Sequence, residues 1–172
     1  MISPTAEYAL RAVVALAQAG DEAMVTSKIA EVTKVPAGYL SKVLQTLGRN
    51  SIVRSKRGLG GGFVLAKPPD QINLLEVVNA VDPIKRIERC PLDIDTHGKN
   101  LCALHQKLDA ATALVESSFR DTTLADLLAD TGRSTPFCSS QDLEQNGRPF
   151  VAVADSPPMA SDSASDTQSG AT

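Results

Sequence analysis

The chain has 172 residues, 42% hydrophobic, 22% charged and 3% aromatic, with 10 Pro and 11 Gly, which allows one ordinary domain with a real core and excludes a fibrous or wholly disordered chain. The formal net charge of -3 averages regions of opposite sign, no run approaches the ~18 apolar residues of a membrane-spanning helix, and the N-terminus, with Glu7 early, lacks a signal-peptide pattern, so a cytoplasmic protein is expected. Three cysteines (Cys90, Cys102, Cys138) are an odd number for a disulfide framework and leave reduced thiols, metal ligands or redox sensors.

Ser3-Pro4, a capping hydroxyl followed by proline, predicts a helix start, with Tyr8, Leu10, Val13, Val14 and Leu16 in an alanine-rich stretch ended by Gly20 and Asp21. A second helix is predicted from Thr26 or Ser27 to about Lys34, where Val35-Pro36 breaks it. A third follows at once, with Leu40, Val43, Leu44 and Leu47 at i, i+3, i+4 and i+7 and with Tyr39, Ser41, Lys42, Gln45 and Thr46 on the other face; Gly48 and Asn50 stop it. Ile52–Ser55 and Phe63–Ala66 read as two strands joined by the basic, glycine-rich tip Lys56-Arg57-Gly58-Leu59-Gly60-Gly61-Gly62.

After Pro68-Pro69, a short helix is expected over Ile72–Val81, ended by Asp82-Pro83. Residues 84–99 show no period and read as a loop. From Asn100 a long helix is expected, with Leu101, Leu104, Leu108, Ala111, Val115 and Ser118 forming roughly a heptad seam that wants a partner. Thr122–Leu128 predicts one more short helix. Residues 131–172 read as a disordered acidic tail.

Two short helices joined by a tight turn, the second with a polar face, then a basic hairpin, describe a winged helix-turn-helix. The fold class is therefore mainly α with a small β-hairpin wing, in three parts: a DNA-binding domain over 1–82, a sensor loop and dimerisation helix over 83–130, and the tail. Charge agrees. Residues 28–67 hold eight Lys or Arg against one acid, whereas residues 71–172 hold eight against fifteen, so a compact polyanion-binding surface sits in an acidic protein. In this arrangement the third helix offers Gly38, Tyr39, Ser41, Lys42 and Gln45 to bases and phosphates of a major groove. The wing, with Arg54, Lys56, Arg57, Gly58 and Gly60, lies along the backbone or in the minor groove, Arg57 being the minor-groove probe, and Lys28 belongs to the same basic block. The glycine-rich tip fails as a nucleotide-phosphate loop, because its glycines run into Phe63-Val64-Leu65 instead of opening a helix after Gly-Lys-Ser/Thr.

These residues resemble the IscR and NsrR type of bacterial winged-helix transcription regulators, many of which sense iron–sulfur clusters, nitric oxide or redox state. The resemblance covers about residues 1–130. It rests on Glu7-Tyr8-Ala9-Leu10-Arg11-Ala12, on Ile29-Ala30-Glu31 followed by Val35-Pro36-Ala37-Gly38-Tyr39-Leu40-Ser41-Lys42-Val43-Leu44, and most specifically on Ser55-Lys56-Arg57-Gly58-Leu59-Gly60-Gly61-Gly62-Phe63-Val64-Leu65-Ala66. It implies a homodimer whose long helices cross at the two-fold axis, binding palindromic double-stranded operators and usually repressing.

The resemblance also implies a sensing site of three cysteines spaced by about five residues, sometimes with a histidine three positions after the last. Cys90, Cys102 and His105 match, but the middle position is Thr96. His97, or Glu7 from the partner's first helix, could complete a set for a [2Fe–2S] cluster, with zinc or no metal as alternatives. Cys102-x-x-His105 at a helix start puts both side chains about a turn apart on one face, where the positive end of the helix favours a negative sulfur. A metal-free repressor controlled by thiol chemistry, a small molecule or a partner protein is the alternative. A zinc hydrolase with Asp93 or Asp95 as base is disfavoured, because no pocket-forming domain remains.

Overall fold

A computed structural model of the chain describes residues 2–90 and 101–129. The expectations for Asp93, Asp95, Thr96, His97, Cys138 and the tail lie outside the described residues.

Helix α1 (Pro4–Ala19) starts as its sequence dictates: Oγ of Ser3 accepts the Ala6 amide at 3.3 Å, and Pro4 occupies the first turn. Ala6, Ala9, Ala12, Val13, Ala15 and Leu16 are all buried. Their small side chains let neighbouring helices approach closely, and α1 becomes the central element. Helix α2 (Thr26–Thr33) ends at Lys34, which takes the left-handed conformation (φ 57°, ψ 31°), and after buried Val35 the chain enters α3 (Ala37–Arg49). The Thr33 hydroxyl donates to the Ile29 carbonyl (2.7 Å), so this buried polar side chain is satisfied, and Arg11 Nη1 donates to the Thr33 carbonyl (3.3 Å).

The predicted apolar stripe of α3 (Leu40, Val43, Leu44, Leu47) is buried against α1 and α4. Helix α3 runs through Gly48 to Arg49, one residue past the first expected stop. The stop falls at Asn50, whose side-chain amide donates to the Thr46 carbonyl (3.0 Å), followed by Ser51 at φ 56°. Strands β1 (Val53–Lys56) and β2 (Gly62–Leu65) pair antiparallel, from Val53 opposite Leu65 to Lys56 opposite Gly62. Gly58 (φ 103°) and Gly60 (φ 78°) take conformations costly for other residues, which allows the tight tip. The wing root is anchored sideways: Phe63 and Met24 exchange backbone hydrogen bonds of 2.8 and 3.0 Å, joining β2 to the α1–α2 connection. A Cβ at Gly62 would lie 2.5 Å from the Met24 carbonyl oxygen.

A 3₁₀ turn (Pro69–Gln71) leads to α4 (Leu74–Val81), capped by Asn73 Oδ1 accepting the Glu76 amide at 2.8 Å. Helix α5 (Ala103–Arg120) begins three residues after the predicted Asn100, with Cys102 at its N-cap. Helix α6 (Leu124–Ala129) closes the described fold. Hydrogen bonds Leu74 N to Thr122 O (3.0 Å) and Leu124 N to Ile72 O (2.9 Å) tie its approach to that of α4.

No residue of α5 is buried. Leu104, Leu108 and Val115 of the predicted seam are 64%, 48% and 40% exposed, with Leu114 at its margin at 73%. Among the described residues, no helix is long and apolar enough to cross a membrane.

Candidate nucleic-acid interface and metal centre

The face of α3 opposite its buried stripe is open. Gly38, Tyr39, Ser41, Lys42 and Gln45 are all exposed. Ser41 Oγ donates to the Ala37 carbonyl (3.0 Å), whereas Lys42 and Gln45 have no side-chain partner among the described residues. Tyr39 is partly committed to the protein. Its ring meets Tyr8 edge-on (centroids 5.5 Å apart, planes at 82°) and its hydroxyl pairs with the Thr5 hydroxyl. Tyr8 in turn lies under the Arg11 guanidinium (5.9 Å to the ring centroid), and Arg11 pairs with Glu7.

On the wing, Arg54, Lys56, Arg57, Gly58 and Gly60 are exposed. Lys56 Nζ reaches the Asp21 carbonyl (3.4 Å), while Arg54 and Arg57 have no partner among the described residues. Lys28, on α2, pairs with Glu31 across one turn at 3.1 Å. Such an exposed pair is worth little and gives way readily to a phosphate. Lys34, before α3, and Arg49, its last residue, are likewise exposed and unpartnered among the described residues. The expected contact residues thus lie on consecutive exposed elements, and their positive charge is largely uncompensated.

The second feature lies at the start of α5. Cys90 is buried at the end of the described loop, Cys102 is the N-cap of α5, and His105 stands in its first turn. His105 Nδ1 is 3.2 Å from Cys102 Sγ and 3.6 Å from Cys90 Sγ, and the three donor atoms lie within 4.8 Å of one another. Residues 12 and 15 positions apart from Cys90 have converged on it. Two sulfurs and an imidazole nitrogen are donors that suit a thiolate-seeking metal. Glu7 is not in this group within one chain: it is exposed on α1 and paired with Arg11.

The convergence has a cause that the sequence did not disclose. Asp109, one turn beyond His105, accepts from Arg86 Nε (2.7 Å), Arg86 Nη2 (2.5 Å) and the Ile87 amide (2.8 Å), and Arg86 also faces Glu116 at 3.6 Å. This fork clips the loop before Cys90 onto α5. The Arg86 hydrogen bonds, and after them the Ile87 amide, hold the Asp109 carboxyl down to about 2. No local pattern marks such a pair, because its members are 23 residues apart. The only signal was a charged residue of each sign, Arg86 in the aperiodic loop and Asp109 on the helix that follows it.

A turn-linked helix pair with an open polar face, followed by a basic antiparallel wing, defines a winged helix-turn-helix DNA-binding protein. The family model described as "Rrf2: Iron-dependent Transcriptional regulator" matches residues 2–130. The chain belongs to the Rrf2 family and is a DNA-binding transcriptional regulator, not an enzyme. It is 32% identical over 131 residues to a protein of Aquifex aeolicus (strain VF5) named as an HTH-type transcriptional regulator, spanning 74% of this chain and 91% of that one. Its fold matches the structure of CymR, the global cysteine regulator of B. subtilis, with a TM-score of 0.62 at 26% identity over 74% of this chain and 95% of that chain. It matches T. potens IscR in fold, with a TM-score of 0.63 at 20% identity over 88% of this chain and 93% of that chain.

Proposed function

We propose that the chain acts in the cytoplasm as a homodimeric repressor of palindromic operators, and that its affinity for DNA is controlled by the state of the Cys90–Cys102–His105 centre. In this reading residues 1–82 bind DNA. Helix α3 reads a major groove through Gly38, Tyr39, Ser41, Lys42 and Gln45. The wing follows the backbone through Arg54, Lys56, Gly58 and Gly60, with Arg57 in the minor groove, and Lys28 adds a phosphate contact. Residues 83–130 sense and dimerise. The exposed seam of α5 supports a two-fold contact, which sets the spacing of two recognition helices.

The observation that carries the control reading is the convergence of two sulfurs and one imidazole nitrogen within 4.8 Å at the start of that same helix. A change of occupant or oxidation state there alters the turn that opens the dimerisation helix. A [2Fe–2S] cluster, with Glu7 of the partner subunit or His97 as a further ligand, is the occupant that the family resemblance implies. A zinc ion is the other. The neighbouring thiols also support a metal-free reading in which oxidation of Cys90 and Cys102 is the signal, with Cys138 an unligated thiol.

The experiment is operator selection from genomic fragments with anaerobically purified protein, followed by fluorescence anisotropy with the wild type and with Cys102→Ala. The control reading expects affinities that differ by roughly tenfold or more. Equal affinities in the presence and absence of the centre would remove it while leaving the DNA-binding assignment intact.

A further inference from the structure

We infer that the Cys90–Cys102–His105 centre is built for one tetrahedral divalent ion of the zinc class, and not for a two-iron cluster. This deepens the reading above, on which it rests only for what the ion controls.

Donor spacing separates the two occupants. Zinc binds thiolate sulfur at about 2.3 Å and imidazole nitrogen at about 2.0–2.1 Å, so tetrahedral angles put neighbouring donors about 3.6 Å (sulfur to nitrogen) and about 3.8 Å (sulfur to sulfur) apart. Here His105 Nδ1 is 3.2 Å from one sulfur and 3.6 Å from the other, and no pair of donors exceeds 4.8 Å. One nitrogen has both sulfurs as near neighbours. That is the arrangement of three corners of a single coordination tetrahedron, drawn together to within about an ångström.

A binuclear cluster distributes its ligands differently, with two on each iron and a sulfide-bridged core between them. Any three of its ligands include one across the core, separated from both others by more than a tetrahedron edge. No donor stands apart in this way here. A cluster with Cys102 and His105 on one iron would require Cys90 to withdraw from His105. The loop that carries Cys90 is held against that movement by the Arg86 and Ile87 hydrogen bonds to Asp109, and Cys90 itself is buried. The donor types agree as well. With threonine at position 96, the spacing supplies two thiolates and an imidazole, leaving the fourth corner of the tetrahedron to a water or to one further side chain.

The test uses the full chain, purified anaerobically and analysed for zinc, iron and acid-labile sulfide. The metal-free protein is then titrated with Co²⁺, whose tetrahedral thiolate complexes have intense visible bands. One ion per chain without sulfide, and a tetrahedral cobalt spectrum displaced by Zn²⁺, are expected. Cys90→Ser, Cys102→Ser and His105→Ala should each weaken Co²⁺ binding by roughly 100-fold or more with unchanged far-ultraviolet circular dichroism.

Iron with equimolar sulfide and cluster absorbance, or Co²⁺ binding no tighter in the wild type than in the three variants, would overturn the inference. Operator anisotropy keeps the two readings apart. One ion per chain with unchanged operator affinity would uphold the ion and remove the control, whereas a cluster that shifts operator affinity would do the reverse.

Discussion

Replacing Leu108 and Val115 together with serine tests the two-fold contact on α5. The two side chains sit a heptad apart, are not themselves donors of the metal centre, and expose 48% and 40% of their area. If a second chain covers them, each protomer loses the burial of about nine-tenths of one aliphatic side chain. At ~1.5–3 kcal/mol for full burial of such a side chain, the loss is roughly 1.3–2.7 kcal/mol per chain and, by symmetry, about twice that per dimer. The dimer dissociation constant should then rise about 100- to 10,000-fold.

Sedimentation equilibrium from nanomolar to tens of micromolar protein reads this directly. Circular dichroism should not change, because neither Leu108 nor Val115 packs against the core of its own chain. A dissociation constant unchanged by the double substitution would refute the assignment of this seam. So would a wild-type chain that is monomeric throughout the range.

Arg57→Ala should weaken operator binding by ~1–3 kcal/mol and relax preference at one position of the site; a loss equal on all sequences would limit Arg57 to phosphate contact. Gly62→Ala should unseat the wing, since the added Cβ would meet the Met24 carbonyl at 2.5 Å, and nuclear magnetic resonance should show loss of the paired Met24 and Phe63 amides; retention of both would refute the steric argument. The Arg86–Asp109 clip should be insensitive to pH across the neutral range. The Asp109 carboxyl is held at about 2 against an ordinary 3.8, so its contribution is fully present above about pH 4 and disappears as pH falls through about 2. Asp109→Asn should remove that contribution at every pH and, by loosening the Cys90 loop, lower Co²⁺ affinity; unchanged Co²⁺ binding would show that the clip does not position Cys90.

Most of the fold was legible because it rests on local signals. Ser3-Pro4, the Val35-Pro36 break, the four-residue stripe of α3 and the glycines of the wing tip each act within one turn or hairpin, where periodicity and turn chemistry dominate. Helix starts were less sharp: α5 opens at Ala103 instead of Asn100, because Cys102 takes an extended backbone conformation that no cap motif announces. The site divides the same way. Cys102 and His105 were readable as neighbours from their spacing, and Cys90 was joined to them through the family resemblance. The Arg86–Asp109 fork and the Met24–Phe63 bridge each join a patterned element to an unpatterned connection, and no periodicity encodes such a long-range pairing. Tyr39 was legible as an exposed residue of α3, but its packing on Tyr8 depends on the crossing of two helices.

The surface placement of α5 has a further consequence. The middle of α1 lies inside the core and opens only at a large free energy, whereas the first turn of α5 is held by surface contacts and opens at a smaller one. A metal ion on Cys102 and His105 would close that turn, and a second chain along Leu108 and Val115 would brace the helix that continues from it. Under the proposed function, occupancy and assembly would then draw on the ordering of one helix, and thermodynamic reciprocity would require any strengthening of one by the other to be equal in both directions.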